Sequence, residues 1–203
     1  MAKLKENDLI IPLVMIFSLV GLIAIIVGVF SVDLAKADDT VTVTAIVGTS
    51  VSCDADPAST AFGTITTAAI VTSSPNASTT TSCNYGAGCT LSVYSAGNTN
   101  FPGLATTSPA YLIQSATETL AAGSEEGYGL QATTTAVGSG QTLNLNPNFD
   151  KWATSNQVGG MGTSSVVAEL ASSTGAITNR EVLIKHLASI TGSTNAANYE
   201  DTI

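Results

Sequence analysis

The stretch TVTVTAIV, residues 40–47, decides the fold class. Its residues alternate with period two, with Val41, Val43, Ala45 and Val47 on one parity and Thr40, Thr42, Thr44 and Ile46 on the other. Successive strand side chains point to opposite faces, so this pattern predicts a half-buried β-strand whose Val face meets a core. β-branched residues suit a pleated surface and lose rotamer freedom in a helix.

Working outward, short segments of similar kind recur. They are 60–65 (TAFGTI), 78–83 (STTTSC), 89–94 (CTLSVY), 110–115 (AYLIQS), 127–133 (GYGLQAT), 165–170 (SVVAEL), 181–190 (EVLIKHLASI) and 198–203 (NYEDTI). Breakers such as Ser74-Pro75-Asn76 and Gly138-Ser139-Gly140 separate them. Many short strands with turn signals, and no strong helical period after residue 38, predict an all-β fold: an antiparallel β-sandwich, immunoglobulin-like or jelly-roll-like. Residues 138–163 hold the single Trp and show no clear period. They read as a long loop or insertion with a short strand near Leu143.

Upstream of residue 40 the chemistry changes. Leu9 to Val32 is 24 residues without a charge, which predicts one N-terminal hydrophobic helix. A spanning helix needs about 20 residues, whereas a secretory apolar region is usually about 7–15. Length argues for a membrane anchor through residues 9–32. The right flank argues for a signal peptide, because Ala35-Lys36-Ala37 matches the small-x-small pattern cut before Asp38. Both readings export the chain from Asp38 onward, to the cell surface or the extracellular medium. The expected organisation is therefore 1–37 as signal peptide or anchor and 38–203 as one secreted domain.

Beyond residue 37 the only bases are Lys151, Arg180 and Lys185, against twelve acids, a net charge of −9. Phosphate binding needs clustered cations, so no nucleic-acid partner is expected. Catalytic chemistry also finds no anchor. There is one His, His186, expected at a sheet surface or boundary, and a lone His makes no zinc site without partners. No G-x-S-x-G elbow occurs. The acidic pairs Asp38-Asp39, Asp54/Asp56, Glu125-Glu126 and Glu200-Asp201 lack calcium-loop spacing and read as solvated charge. Gly127-Tyr128-Gly129 is not a phosphate cradle, since no helix with Lys and Ser comes after it. No cofactor or metal is expected, and the chain reads as a non-enzyme. Phe149 and Trp152, with Tyr111, are the candidate platform for a sugar ring. A glycan is the ligand class such a platform would take.

An exported chain meets oxidising conditions, and this one has three cysteines. Cys83 and Cys89 bracket NYGAG, a hairpin-turn composition that brings them within bridging reach. Cys83–Cys89 is the expected disulfide. Cys53 is then left over, as a buried thiol or with a partner elsewhere.

Four ordered pieces carry a resemblance. They are VTVTAIVGTSVSC leading into a Cys, Phe62-Gly63, a Cys-containing hairpin into TLSVYSAGN, and the tail NAANYEDTI. Together they resemble secreted β-sandwich proteins of the spore coat protein U and fimbrial-subunit type. That resemblance implies a structural subunit of a surface coat, fibre or surface layer, and it implies the Cys53–Cys83 pairing. It also implies self-association or contact with neighbouring subunits through an open sheet edge. The segment YEDTI reads as the first half of a strand, which would leave such an edge. The alternative is a surface-displayed binding module, an adhesin or glycan binder that uses the 138–163 loop.

Overall fold

A computed structural model describes residues 44–98, 100–154 and 156–203. The apolar run 9–32, the cleavage residues Ala35, Ala37 and Asp38, and positions 40–43 of the alternating stretch lie outside the described residues. The described part is all-β and contains no helix. It has thirteen strands: β1 (Val51–Asp56), β2 (Val71–Thr72), β3 (Ala77–Cys83), β4 (Thr90–Val93), β5 (Gly103–Thr107), β6 (Ala110–Gln114), β7 (Glu118–Thr119), β8 (Gly127–Thr134), β9 (Ser139–Gly140), β10 (Asn144–Leu145), β11 (Gln157–Val158), β12 (Ala168–Ser172) and β13 (Ile177–Ser189). Every strand-to-strand ladder is antiparallel.

β13 is the spine. On one edge it pairs with β3 and then β2, and on the other with β8 and β9. β1 extends this sheet beyond β3. β2 and β3 succeed one another along the same edge, interrupted at Ser73–Asn76, where Ser73 N still donates to His186 O at 2.9 Å. A second sheet has the order β10-β12-β4, and β5-β6 and β7-β11 form two further pairs. Val47–Ile203 forms one unit. Its core gathers Leu91, Val93, Leu104, Ile113, Leu130, Leu170 and Val182 from six strands. Burying each such side chain contributes roughly 1.5–3 kcal/mol, which gives short strands their reason to hold together.

Several expectations are corrected. Residues 44–47 are not a strand, and Ile46 and Val47 are 100 % and 83 % exposed, so Val47 faces no core. The first strand begins instead at Val51. Alternation supplies an amphipathic ribbon, but a ribbon becomes a strand only where a partner edge takes its hydrogen bonds, and β3 ends opposite Val51. Residues 60–65 make only the bridge Ala61–Ser74, and 198–203 only Glu200–Ala105. The segment 165–170 starts late: Val166 lies in a turn, bonded through its N–H to Thr163 O at 3.1 Å, and the strand runs 168–172. Residues 138–163 carry the short strand expected near Leu143, as β10, but the rest is an anchored arm where a long loop or insertion was expected. They hold β9, β10 and β11 and bury Leu143, Phe149, Val158 and Met161.

Candidate functional site

A groove of about 970 Å³ opens over the half-buried Phe62, Ile65, Ile184 and Ile190, and the buried core residues Val93, Leu104, Ile113 and Leu130 lie beneath it. These core residues meet there because each lies on the inward parity of its strand. Two coil segments flank the mouth, Pro57–Ile65 and Thr194–Ile203, and each makes a single bridge to its neighbours. Phe62 and Tyr199 lean in from these rims. Phe62 meets Tyr128 edge-on at 6.0 Å, and Tyr199 meets Tyr111 likewise at 6.2 Å. Aromatic pairs prefer this geometry, which sets a positive ring edge against a negative face.

One polar row crosses the apolar floor. One expectation that fails is His186 at a sheet surface or boundary: it is buried, because its face of β13 is covered and the Tyr128 ring lies against the imidazole. Its Nδ1 lies 3.3 Å from the Tyr128 hydroxyl, and the two rings stack. Burial pushes the imidazole down to about 4, so it is neutral at pH 7. Burial raises the Tyr128 phenol well above its ordinary value, and the nearby Asp201 carboxylate adds to this. Asp201 itself is raised by burial, against the lowering effect of Gly97 N–H, which donates to Oδ1 at 3.0 Å, and of the Ser95 and Tyr128 hydroxyls. Its Oδ2 is buried with no hydrogen-bond partner. This row can hold the tail against β4 and β5, but it offers no nucleophile with an adjacent base. Among the described residues, no group of three or more His, Cys, Asp or Glu side chains is placed to hold a metal ion.

The other candidate residues fall elsewhere. Cys83 and Cys89 are bonded, with Cα atoms 6.6 Å apart across the predicted turn. Gly88 closes that turn at φ +92°, and its N–H donates to Tyr85 O at 3.0 Å. A Cβ at Gly88 would collide with the Ser173 carbonyl, so this turn needs glycine. Cys53 is free and exposed. It sits opposite Thr81, whereas Cys83 sits opposite Val51, so the competing Cys53–Cys83 pair would have to bridge a diagonal. The expected sugar platform is not assembled. Phe149 is 1 % exposed and belongs to the core, because the arm carries it inward. Trp152 is half-buried, with the Lys185 ammonium 4.6 Å from its ring centroid and bonded to its carbonyl oxygen at 3.1 Å. Tyr111 faces Glu126, 3.1 Å from its hydroxyl, so it joins neither of them.

Sequence reasoning missed the groove and what lies beneath it. Leu104 stands in β5, a Gly-Leu-Ala-Thr-Thr run with too few apolar residues to show a period. No protein-family model matches this chain, and no curated protein or solved structure matches it either.

Proposed function

We propose that this chain is a non-catalytic extracellular structural protein, a coat, fibre or surface-layer type subunit. Its body is an antiparallel β-sandwich of immunoglobulin-like or jelly-roll-like kind, and its open groove takes a β-strand from a neighbouring subunit. One observation carries this reading: a groove of about 970 Å³, with an apolar floor at Phe62, Ile65, Ile184 and Ile190 and a more polar rim, is bounded by two coils instead of a paired strand. An extended segment with alternating side chains fills such a space, since every second residue meets the apolar floor while its backbone pairs with a free edge. The chain carries a segment of that pattern at 40–47, and its described part, Thr44–Val47, belongs to no sheet. Strand addition between copies therefore agrees with the surface-subunit resemblance. On this reading residues 1–37 serve export, and intact mass of surface-recovered chain distinguishes cleavage before Asp38 from retention of residues 9–32.

The test uses the full chain and a synthetic peptide of residues 39–48, DTVTVTAIVG. An excess of peptide should shorten or dissolve assemblies seen by electron microscopy and raise the melting temperature of the released subunits. A peptide with Asp at positions 43 and 45 should do neither, because a charge set against the apolar floor is unpaired. A chain that stays monomeric at all concentrations and ignores both peptides refutes the reading.

A further inference from the structure

The outer edge of β1 is a second open feature; the strand meets the groove only through Ala55 at its end. β1 pairs with β3 through six consecutive residues with no register shift, and among the described residues nothing pairs with its other edge. All six residues are exposed. The ladder continues one step: Asn84 N donates to Ser50 O at 3.2 Å, and Ser50 N donates to Asn84 Oδ1 at 2.7 Å. This fixes the phase. Ser52, Asp54 and Asp56 turn their backbone groups toward β3, so Val51, Cys53 and Ala55 turn their N–H and C=O groups outward. Of the usual guards against pairing the edge carries only charge, Asp54 and Asp56, with no Pro, no Lys and no bulge. Its side chains also sort by face. Cys53 contacts the Thr79 hydroxyl at 3.1 Å, which places Val51, Cys53 and Ala55 on the inward side of the sheet.

We propose that β1 pairs antiparallel with β1 of a second copy, about a two-fold axis through Cys53. Charge selects this register. Outward groups must face outward groups, so the axis can pass only through a residue from which Val51, Cys53 and Ala55 map onto one another or onto flanking positions of the same phase. An axis at Asp54 sets the two Asp54 carboxylates opposite one another, and an axis at Ala55 sets Asp54 against Asp56. Like charges directly opposed are destabilising. An axis at Ser52 pairs only residues 51–53 of the strand. The axis at Cys53 pairs Val51 with Ala55 and Ser52 with Asp54, spans 51–55 and opposes no two carboxylates. It continues the row of Val, Cys and Ala across both copies. The two Cys53 residues then face each other at a hydrogen-bonded position, with Cα atoms about 5.5 Å apart. Cys53 reports the contact; the backbone edge makes it.

The experiment uses the full chain in mild detergent and a short bis-maleimide, which finds only Cys53 because Cys83 and Cys89 are bonded to each other. A covalent dimer is expected, and Cys53→Ser should abolish it. In the Cys53→Ser background, Val51→Cys mixed with Ala55→Cys should cross-link, whereas Val51→Cys alone should not. Cys53→Lys places two ammonium groups face to face and should abolish the lateral contact, while the melting temperature stays at the value the wild type shows when diluted below the range of that contact. Amide exchange at Val51, Cys53 and Ala55 should slow as protein concentration rises. Efficient Val51–Val51 cross-linking, a dimer that survives Cys53→Lys, or exchange in β1 that is independent of concentration would each overturn the proposal. The Cys53 readouts depend neither on the groove nor on the added peptide, and only the Ala55→Cys cross-link is read at a residue that lines the groove.

Discussion

His186 shows how one residue ties stability to pH. Folded, it binds a proton only below about pH 4; unfolded, it does so below its ordinary 6.5. Between those values the unfolded state binds more protons, so the contribution of His186 is intact above pH 6.5 and is lost as the pH falls toward 4. The loss is roughly 3 kcal/mol, at about 1.4 kcal/mol for each tenfold difference in proton affinity between the two states. Asp201 acts in the opposite sense. Its carboxyl is raised, so its contribution is present below the ordinary 3.8 and is lost as the pH rises through the folded value. The expected outcome is that His186→Phe flattens the decline in melting temperature from pH 6.5 to 4, whereas Asp201→Asn does not. Parallel curves for wild type and His186→Phe would show that the imidazole is solvated. The sequence offered little warning of this burial. The alternation around His186 marked a strand but could not say which face was covered, because β13 is covered on both faces: Val182 and Ala188 on one and Leu187 and Ser189 on the other are all buried.

Among the elements, the arm at 138–163 differs most from its sequence reading. It crosses the molecule with three two-residue strands and fastens at Leu143, Phe149, Val158 and Met161. Phe149 N–H donates to Asn146 O at 2.9 Å, and Phe149 O accepts from Ala132 N at 2.8 Å, so the ring is fixed by backbone on both sides. Phe149→Ala should therefore cost about 3–5 kcal/mol in denaturant unfolding, as buried aromatic truncations do. Trp152→Ala should cost less, since Trp152 is only half-buried and loses mainly its cation–π contact with Lys185. A larger loss at Trp152 than at Phe149 would mean that the anchors are misassigned. Periodicity found β3, β4, β6, β8 and β13 because β-branched, aromatic or other apolar residues recur through each. β1 stayed hidden in VSCDAD, where Asp54 and Asp56 read as loop charge, and the arm stayed hidden because its anchors are spaced by turns rather than by strand geometry. The Cys83–Cys89 turn was legible because a six-residue separation with Gly88 inside is wholly local. The groove was not legible, because its residues come from segments distant in sequence that only the fold brings together.

At the scale of the whole molecule, the two proposed contacts differ in symmetry. Strand addition into the groove joins unlike surfaces, so it propagates into an open fibre. Pairing of β1 edges joins like surfaces about a two-fold axis and closes on itself. A chain with both makes fibres joined side by side, and the contacts should separate under perturbation. Cys53→Lys should leave fibres of single width, and excess 39–48 peptide should leave nothing larger than a dimer. Charge then sets the conditions. The chain carries −9 at pH 7, so copies repel over the Debye length, about 30 Å at 0.01 M salt and about 8 Å at 0.15 M. Paired β1 edges bring together Asp54 and Asp56 of both copies, four carboxylates, whereas the groove carries only Glu200 and Asp201, so screening should favour lateral pairing more than elongation. Raising salt across that range should thicken the fibres at nearly constant length in electron micrographs. Fibres that lengthen without thickening would place the dominant electrostatic barrier at the groove instead of at the β1 edge.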